Sequence, residues 1–154
     1  MWIAIGLGVV AFLAFMFLMF VVVPKKLMVS IVAAAERRVA ATVPADQIVR
    51  QDLQALSFGR ESRGKLQSRG NGALVLTSTH LHWLQLVPQT NDVTIPIASI
   101  TAVGTKRAHL GKSYGRPLLH VTFTSDGATD SVAWFSLDVP GWIAALEAAR
   151  LAAS

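Results

Sequence analysis

From Trp2 to Val23 the chain carries 22 consecutive residues without a charged or polar side chain, and the run stops at Pro24, with Lys25 and Lys26 behind it. A helix of that length measures about 33 Å at ~1.5 Å per residue, against ~30 Å of bilayer hydrocarbon. In lipid a single segment hides its backbone polar groups only as a helix, so the run reads as a transmembrane anchor. A cleaved signal sequence carries a basic stretch ahead of a shorter apolar core, then small residues at the cut. Here no basic side chain precedes the run, and Pro24-Lys25-Lys26 suits no such cut. A core helix of a soluble protein rarely stays apolar on every side over such a length. Lys25, Lys26, Arg37 and Arg38 come after the run and none precedes it. Bases gather on the cytoplasmic side of a span, which predicts Met1 outside and residues 25 to 154 in the cytoplasm.

The anchor accounts for the composition. Of 154 residues, 53% are hydrophobic and 15% charged, where soluble domains carry roughly 25% charged. The chain beyond the anchor is enough for one small domain with its own core, and too apolar to be disordered. With no cysteine, a disulfide framework, an iron–sulfur cluster, a Cys-ligated zinc site and thiol catalysis are excluded.

Residues 27 to 43, with alanines at 33, 34, 35, 40 and 41 and no Pro or Gly, read as a helix. Two placements fit it: along the membrane surface with its bases at the headgroups, or as a stalk continuing the anchor past Pro24. Pro44 ends it. Residues 45 to 56, with Ile48, Val49, Leu53 and Leu56, read as a short amphipathic helix. After Phe58-Gly59 the period falls to two. Strands are predicted over 72–78 and 80–86, through Val93, Ile95 and Ile97, through Leu119, Val121 and Phe123, and over 131–137, with Asp126-Gly127 as a hairpin turn. Short strands at close spacing predict an antiparallel sandwich or barrel. A last helix opens on Asp138 as N-cap with Pro140 in its first turn, and Trp142, Leu146 and Ala149 form one stripe. The expected division is therefore an anchor over 1–24, a juxtamembrane helical linker over 25–57, and a β domain with its C-terminal helix over 58–154.

The stretch Gly72 to Leu86, with Gly-x-Leu-x-Leu-Thr at its start, then Ile95-Pro96-Ile97-Ala98-Ser99-Ile100, Leu118 to Phe123, and Trp142 to Leu146, resembles the bacterial PH-like and GRAM-like domains. The resemblance covers roughly residues 60 to 152. It implies a bent antiparallel sandwich of about seven strands, plugged at one open end by the C-terminal helix, with Trp142 packed into the core. An open barrel end needs an apolar plug on physical grounds as well.

Catalytic patterns are missing. His80 and His82 share a strand face but have no third ligand nearby in sequence, and no metal site is expected. No Gly-x-Ser-x-Gly elbow or paired carboxylates occur, and Asp126 and Asp130 read as residues of a hairpin turn. Gly111-Lys112-Ser113 imitates the end of a phosphate-binding loop, but the earlier glycine is replaced by Lys106, and strands flank it on both sides. No cofactor is expected.

Charge is more informative. The net charge is +5, with +3 over residues 25–43, +3 over 57–70 and +4 over 104–117, while 118–154 carries −3. In PH domains of eukaryotes, bases on the first strands and their loop cradle a lipid headgroup, and the resemblance places Lys65 and Arg69 in roughly that region. Residues 104 to 117 read as a long flexible loop with Lys106, Arg107, Lys112 and Arg116, all four expected to be exposed, and with Tyr114 as one amphipathic ring. The expected function is non-enzymatic: a single-pass, membrane-anchored module at the cytoplasmic face of a bacterial inner membrane, docking a protein partner or a second copy of itself. The alternative is contact with anionic phospholipid headgroups through Lys65, Arg69, Lys106, Arg107, Lys112, Tyr114 and Arg116. Nucleic acid is not an expected partner, since no recognition helix and no interleaved surface aromatics accompany the pI of 10.3.

Overall fold

The computed structural model describes residues 12–153; residues 2 to 11 of the predicted span, and the placement of Met1, lie outside them. The chain forms two compact units, divided between Ala33 and Ala34. Helix α1 runs from Phe12 to Thr42 and is long and apolar enough to cross a membrane, with a mean hydropathy of 2.1 over its most apolar stretch and none of that stretch buried. Over Leu18–Val22 it widens into a π-turn, where the Val23 N–H donates to the Leu18 carbonyl. Pro24 gives the reason: it has no N–H for the carbonyl four residues back, and its ring needs room there. Helix continues on both sides of Pro24. From Ala34 onward the helix buries Ala35 and Val39, and with Val43 they pack on Ala73, Val75 and Leu84, so this side is occupied by protein.

The second unit continues with β1 (Ile48–Arg60), β2 (Gly70–Thr77), β3 (His80–Gln85), β4 (Val93–Pro96), β5 (Ile100–His109), β6 (Lys112–Ser125), β7 (Ala128–Phe135) and α2 (Val139–Ala153). The strands make one antiparallel sheet in the order β4-β3-β2-β1-β7-β6-β5. Strand β1 is the pivot: Ile48 to Ser57 face β2, and Leu56 to Arg60 face β7. The sheet bends there until its two wings meet, with the rings of Trp83 and Trp134 6.3 Å apart. One core joins Leu74, Leu76 and Ile95 from the first wing to Leu119, Val121 and Phe123 from the second, and Val139, Trp142 and Leu146 of α2 complete it. This is a PH-like architecture, an open seven-strand sandwich closed by a C-terminal helix. Gly72 is required where it stands, because a Cβ there would lie 2.3 Å from the Leu84 carbonyl oxygen on the neighbouring strand.

Three sequence expectations are corrected. Residues 48 to 56 are strand, not amphipathic helix, so the sheet takes in the end of the segment assigned to the linker. Strand β1 is covered on both sides, with Ala55 in the main core and Ile48 and Leu53 against the α1 cluster. Register shifts at 48/50 and 52/55 break its alternation further. Residues 104 to 117 are not a flexible loop; they form the end of a β5–β6 hairpin that turns at Leu110 and Gly111, with φ of 51° and 75°. Asp130 is not a turn residue but a buried member of β7, whereas Asp126 does occupy the turn with φ of 52°. The expected N-cap is present, as the Gly141 N–H donates to Asp138 Oδ1 at 3.0 Å. Asp138 Oδ2 also accepts from Arg50 at 2.5 Å, and that guanidinium lies 5.1 Å from the Trp142 ring centre.

Candidate docking surface

The end of the β5–β6 hairpin extends past the last β6–β7 pair, Leu119 with Trp134, and Tyr114 in it meets Phe58 of β1 and Phe135 of β7. Phe58, Leu118 and Ala133 form a small buried cluster there, with Leu56 and Phe135 at its margin. Tyr114 closes it from the hairpin: its ring centre is 4.2 Å from Phe135 and 6.5 Å from Phe58, edge-on. Tyr114 remains 47% exposed, so one face of the ring reaches solvent.

The connection between β1 and β2 straps the hairpin down. Arg69 donates to the Ser113 carbonyl at 2.9 Å while its guanidinium sits 5.0 Å from the Phe58 ring centre. Lys112 donates to the Gln67 carbonyl. Lys112 is therefore only partly exposed and already engaged, against the expectation that all four hairpin bases are exposed. Its role here is structural, and a strand, not a helix, comes after it, so the phosphate-loop likeness ends at three residues. Lys65 stands exposed on the connecting loop, and Lys106, Arg107 and Arg116 stand exposed on the hairpin. Arg107 and Arg116 line an open hollow of about 370 Å³ together with Ser113, Gly115 and Pro117. The seven basic and aromatic residues singled out in the sequence thus divide. Arg69, Lys112 and Tyr114 hold the hairpin in place, while Lys106, Arg107 and Arg116 are presented outward, and Lys65 lies apart on the loop.

Within the hairpin and beside it lie two groups that the sequence left unconnected. The rings of His109 and His120 are 5.6 Å apart, and the Nε2 of each is buried without a hydrogen-bond partner. Burial foremost, then the positive charge of Lys106, lowers the pKa of both, that of His120 to about 4. Glu61 opposes this weakly, its carboxylate accepting from the Ser131 hydroxyl at 2.5 Å. Both shifts favour the neutral imidazole. On β3, His80 and His82 lie 5.7 Å apart, the second lowered by burial and then by the first. No group of three His, Cys, Asp or Glu side chains converges among the described residues. Next to the hairpin, Asp130 accepts from Arg60, from the Ser62 N–H at 3.0 Å and hydroxyl at 2.6 Å, and from the Ser131 N–H at 2.8 Å. The sequence showed none of the partners on Arg60 and Ser62, because they stand about 70 positions away.

No family model and no curated protein matches the chain. Among solved structures, it is similar to the Vps36 N-terminal PH domain, at 19% identity and a TM-score of 0.48, over 68% of this chain and 78% of that one. It is also similar to the C-terminal domain of an unknown protein from Leishmania infantum, at 13% identity and a TM-score of 0.48, over 75% of this chain and 94% of that one.

Proposed function

We propose that this chain is a non-enzymatic, GRAM-like docking module, held by its N-terminal helix at the cytoplasmic face of a bacterial inner membrane and presenting the β5–β6 hairpin to a protein partner. The observation that carries the reading is the hairpin itself. Three bases, Lys106, Arg107 and Arg116, are exposed on a rigid element that Arg69, Lys112 and Tyr114 hold in place, and residues 104–117 contain no acid. Binding sites placed on rigid scaffolds lose little freedom when a partner arrives. The anchor keeps the domain near its partners at the membrane, which raises their effective concentration without any new contact.

Topology is tested with reporters fused after Ser154. A reporter active only in the cytoplasm is expected to work there, and one that needs the periplasm is expected to stay silent. The opposite pattern removes the cytoplasmic docking reading.

The second reading is contact of the same bases with anionic headgroups, each worth about 1 kcal/mol near a charged surface. It predicts slower amide exchange over residues 104–117 when the full chain sits in nanodiscs containing anionic lipid than in neutral ones. The difference would fade as salt rises from about 0.1 M to 1 M, because the screening length falls from ~10 Å to ~3 Å. Changing Lys106, Arg107 and Arg116 together to Ser would abolish it, with Lys112 left in place because its contact is structural. We expect no difference between the two lipids.

A further inference from the structure

We infer that the outer edge of β5 is a strand-addition site for an extended acidic segment of a partner protein, a specification that rests on the docking reading above. The sheet has two ends, β4 and β5. Strand β4 has four residues and finishes at Pro96, which is how natural sheets blunt an edge. Strand β5 has ten residues and no proline. No strand among the described residues pairs with its outer side. Its start is covered, where Arg150 of α2 donates to the Thr101 carbonyl at 3.1 Å. Thr105, Lys106, Arg107 and Ala108 are all exposed. An open row of backbone donors and acceptors binds an added strand by main-chain hydrogen bonds, and flanking hollows then set its sequence.

Such hollows stand near both ends of β5. Near Ile100, an opening of about 270 Å³ lies between Ile97, Ile100 and Leu151 near the end of α2, with the ion-paired Glu147 and Arg150 also in its wall. Near Arg107 lies the 370 Å³ hollow with Arg107 and Arg116 in its wall. Ile100 and Arg107 are seven residues apart, at most about 23 Å along the strand, whose pairing with β6 is regular from Ala102 to Lys106 and shifts register beside each of them. The occupant is therefore an extended segment with an apolar side chain at one end and acidic side chains about five and seven residues away. In a sheet that is antiparallel throughout, the acidic end comes first. Charge also decides between occupants. A second copy of this edge would set Lys106 and Arg107 against their own kind, and like charges across strands repel. An acidic strand meets the same bases favourably.

The test uses the full chain in neutral-lipid nanodiscs and an acetylated, amidated peptide of sequence Glu-Thr-Glu-Val-Thr-Val-Thr-Leu. Amide exchange over residues 102 to 107 is expected to slow about tenfold at saturation. A peptide with Lys in place of Glu should have no effect, and an R107E/R116E double variant should exchange these preferences. If the acidic peptide leaves the β5 amides unprotected, the assignment falls. It falls equally if anionic nanodiscs protect those amides without peptide, which makes lipid the occupant, or if protection grows with protein concentration alone, which makes it a second copy. Photo-crosslinkers at Thr105, Lys65 and Thr94 in intact cells separate this from the broader reading. Adducts at Lys65 or Thr94 but not Thr105 overturn the edge alone, and no protein adduct at any of the three overturns docking itself.

Discussion

Trp142→Ala is expected to destabilise the domain by about 3–5 kcal/mol, the range for truncating a buried aromatic residue. Trp142 is fully buried, and with Val139 and Leu146 it forms the face by which α2 closes the sandwich. The surroundings have little means of collapsing into the space. Its neighbours on the sheet belong to paired strands, and the start of α2 is fixed by the Asp138 cap and the Arg50–Asp138 ion pair. Arg50 loses its aromatic platform as well. A loss of this size is a large part of what holds a small domain folded, and it lowers the melting temperature by roughly 10–25 °C. Thermal unfolding of the full chain in nanodiscs, followed by tryptophan fluorescence of the other three tryptophans, measures it. A shift of only a few degrees would mean that α2 does not plug the core. Trp142→Phe, which keeps most of the volume, should recover more than half of the loss.

That plug was legible in the sequence because α2 obeys a single rule, one apolar stripe behind a capping Asp. The strands of the first wing were legible for a related reason: β2 carries an apolar run from Ala73 to Leu76, and β3 alternates His80 and His82 with Leu81 and Trp83. The illegible parts involve residues that serve two surfaces. Strand β1 buries Ala55 inward and Leu53 outward, and two bulges shift its phase. The result imitates helical spacing. The β5–β6 hairpin shows the converse, since most of residues 101 to 117 are exposed and so carry no alternation to read. Its turn uses Leu110 at a φ of 51°, a conformation that side chains seldom adopt and that only Asn, Asp or Gly would have announced. The basic residues of the candidate surface were visible as a charge excess. The division between residues that fasten the hairpin and bases that it presents was not, because it depends on Phe58, Gln67 and Phe135 meeting the hairpin in space. The His109–His120 contact and the Arg60–Asp130 pair likewise join segments with no local pattern in common.

Asp130→Ala is expected to cost about 3–5 kcal/mol, because it strands its partner rather than removing a pair. Arg60 is largely buried, its guanidinium held between Asp130, the Ser125 hydroxyl at 3.0 Å and the Phe123 ring. Without the carboxylate, that charge and the N–H groups of Ser62 and Ser131 lose their acceptor. The effect of acid identifies the interaction. Burial raises the pKa of Asp130, but the Ser62 hydroxyl, Arg60 and two backbone N–H groups outweigh it and bring the value down to about 2. A free aspartate titrates near ~3.9, so the folded state binds this proton less readily than the unfolded one. The stabilisation, about 2 kcal/mol, is complete above pH ~4 and is lost as pH falls toward 2. The three lowered histidines, His82, His109 and His120, act in an earlier window. Their folded pKa values lie below 6.5, so the unfolded chain takes up protons first and stability declines from pH 6.5 down to about 4. Melting temperatures measured from pH 7 to pH 2.5 should therefore fall in two stages. Asp130→Ala should lower the whole curve and flatten the stage below pH 4, leaving the upper stage in place. A variant that keeps the full slope below pH 4 would mean that other carboxylates, not Asp130, set the acid limit of this fold.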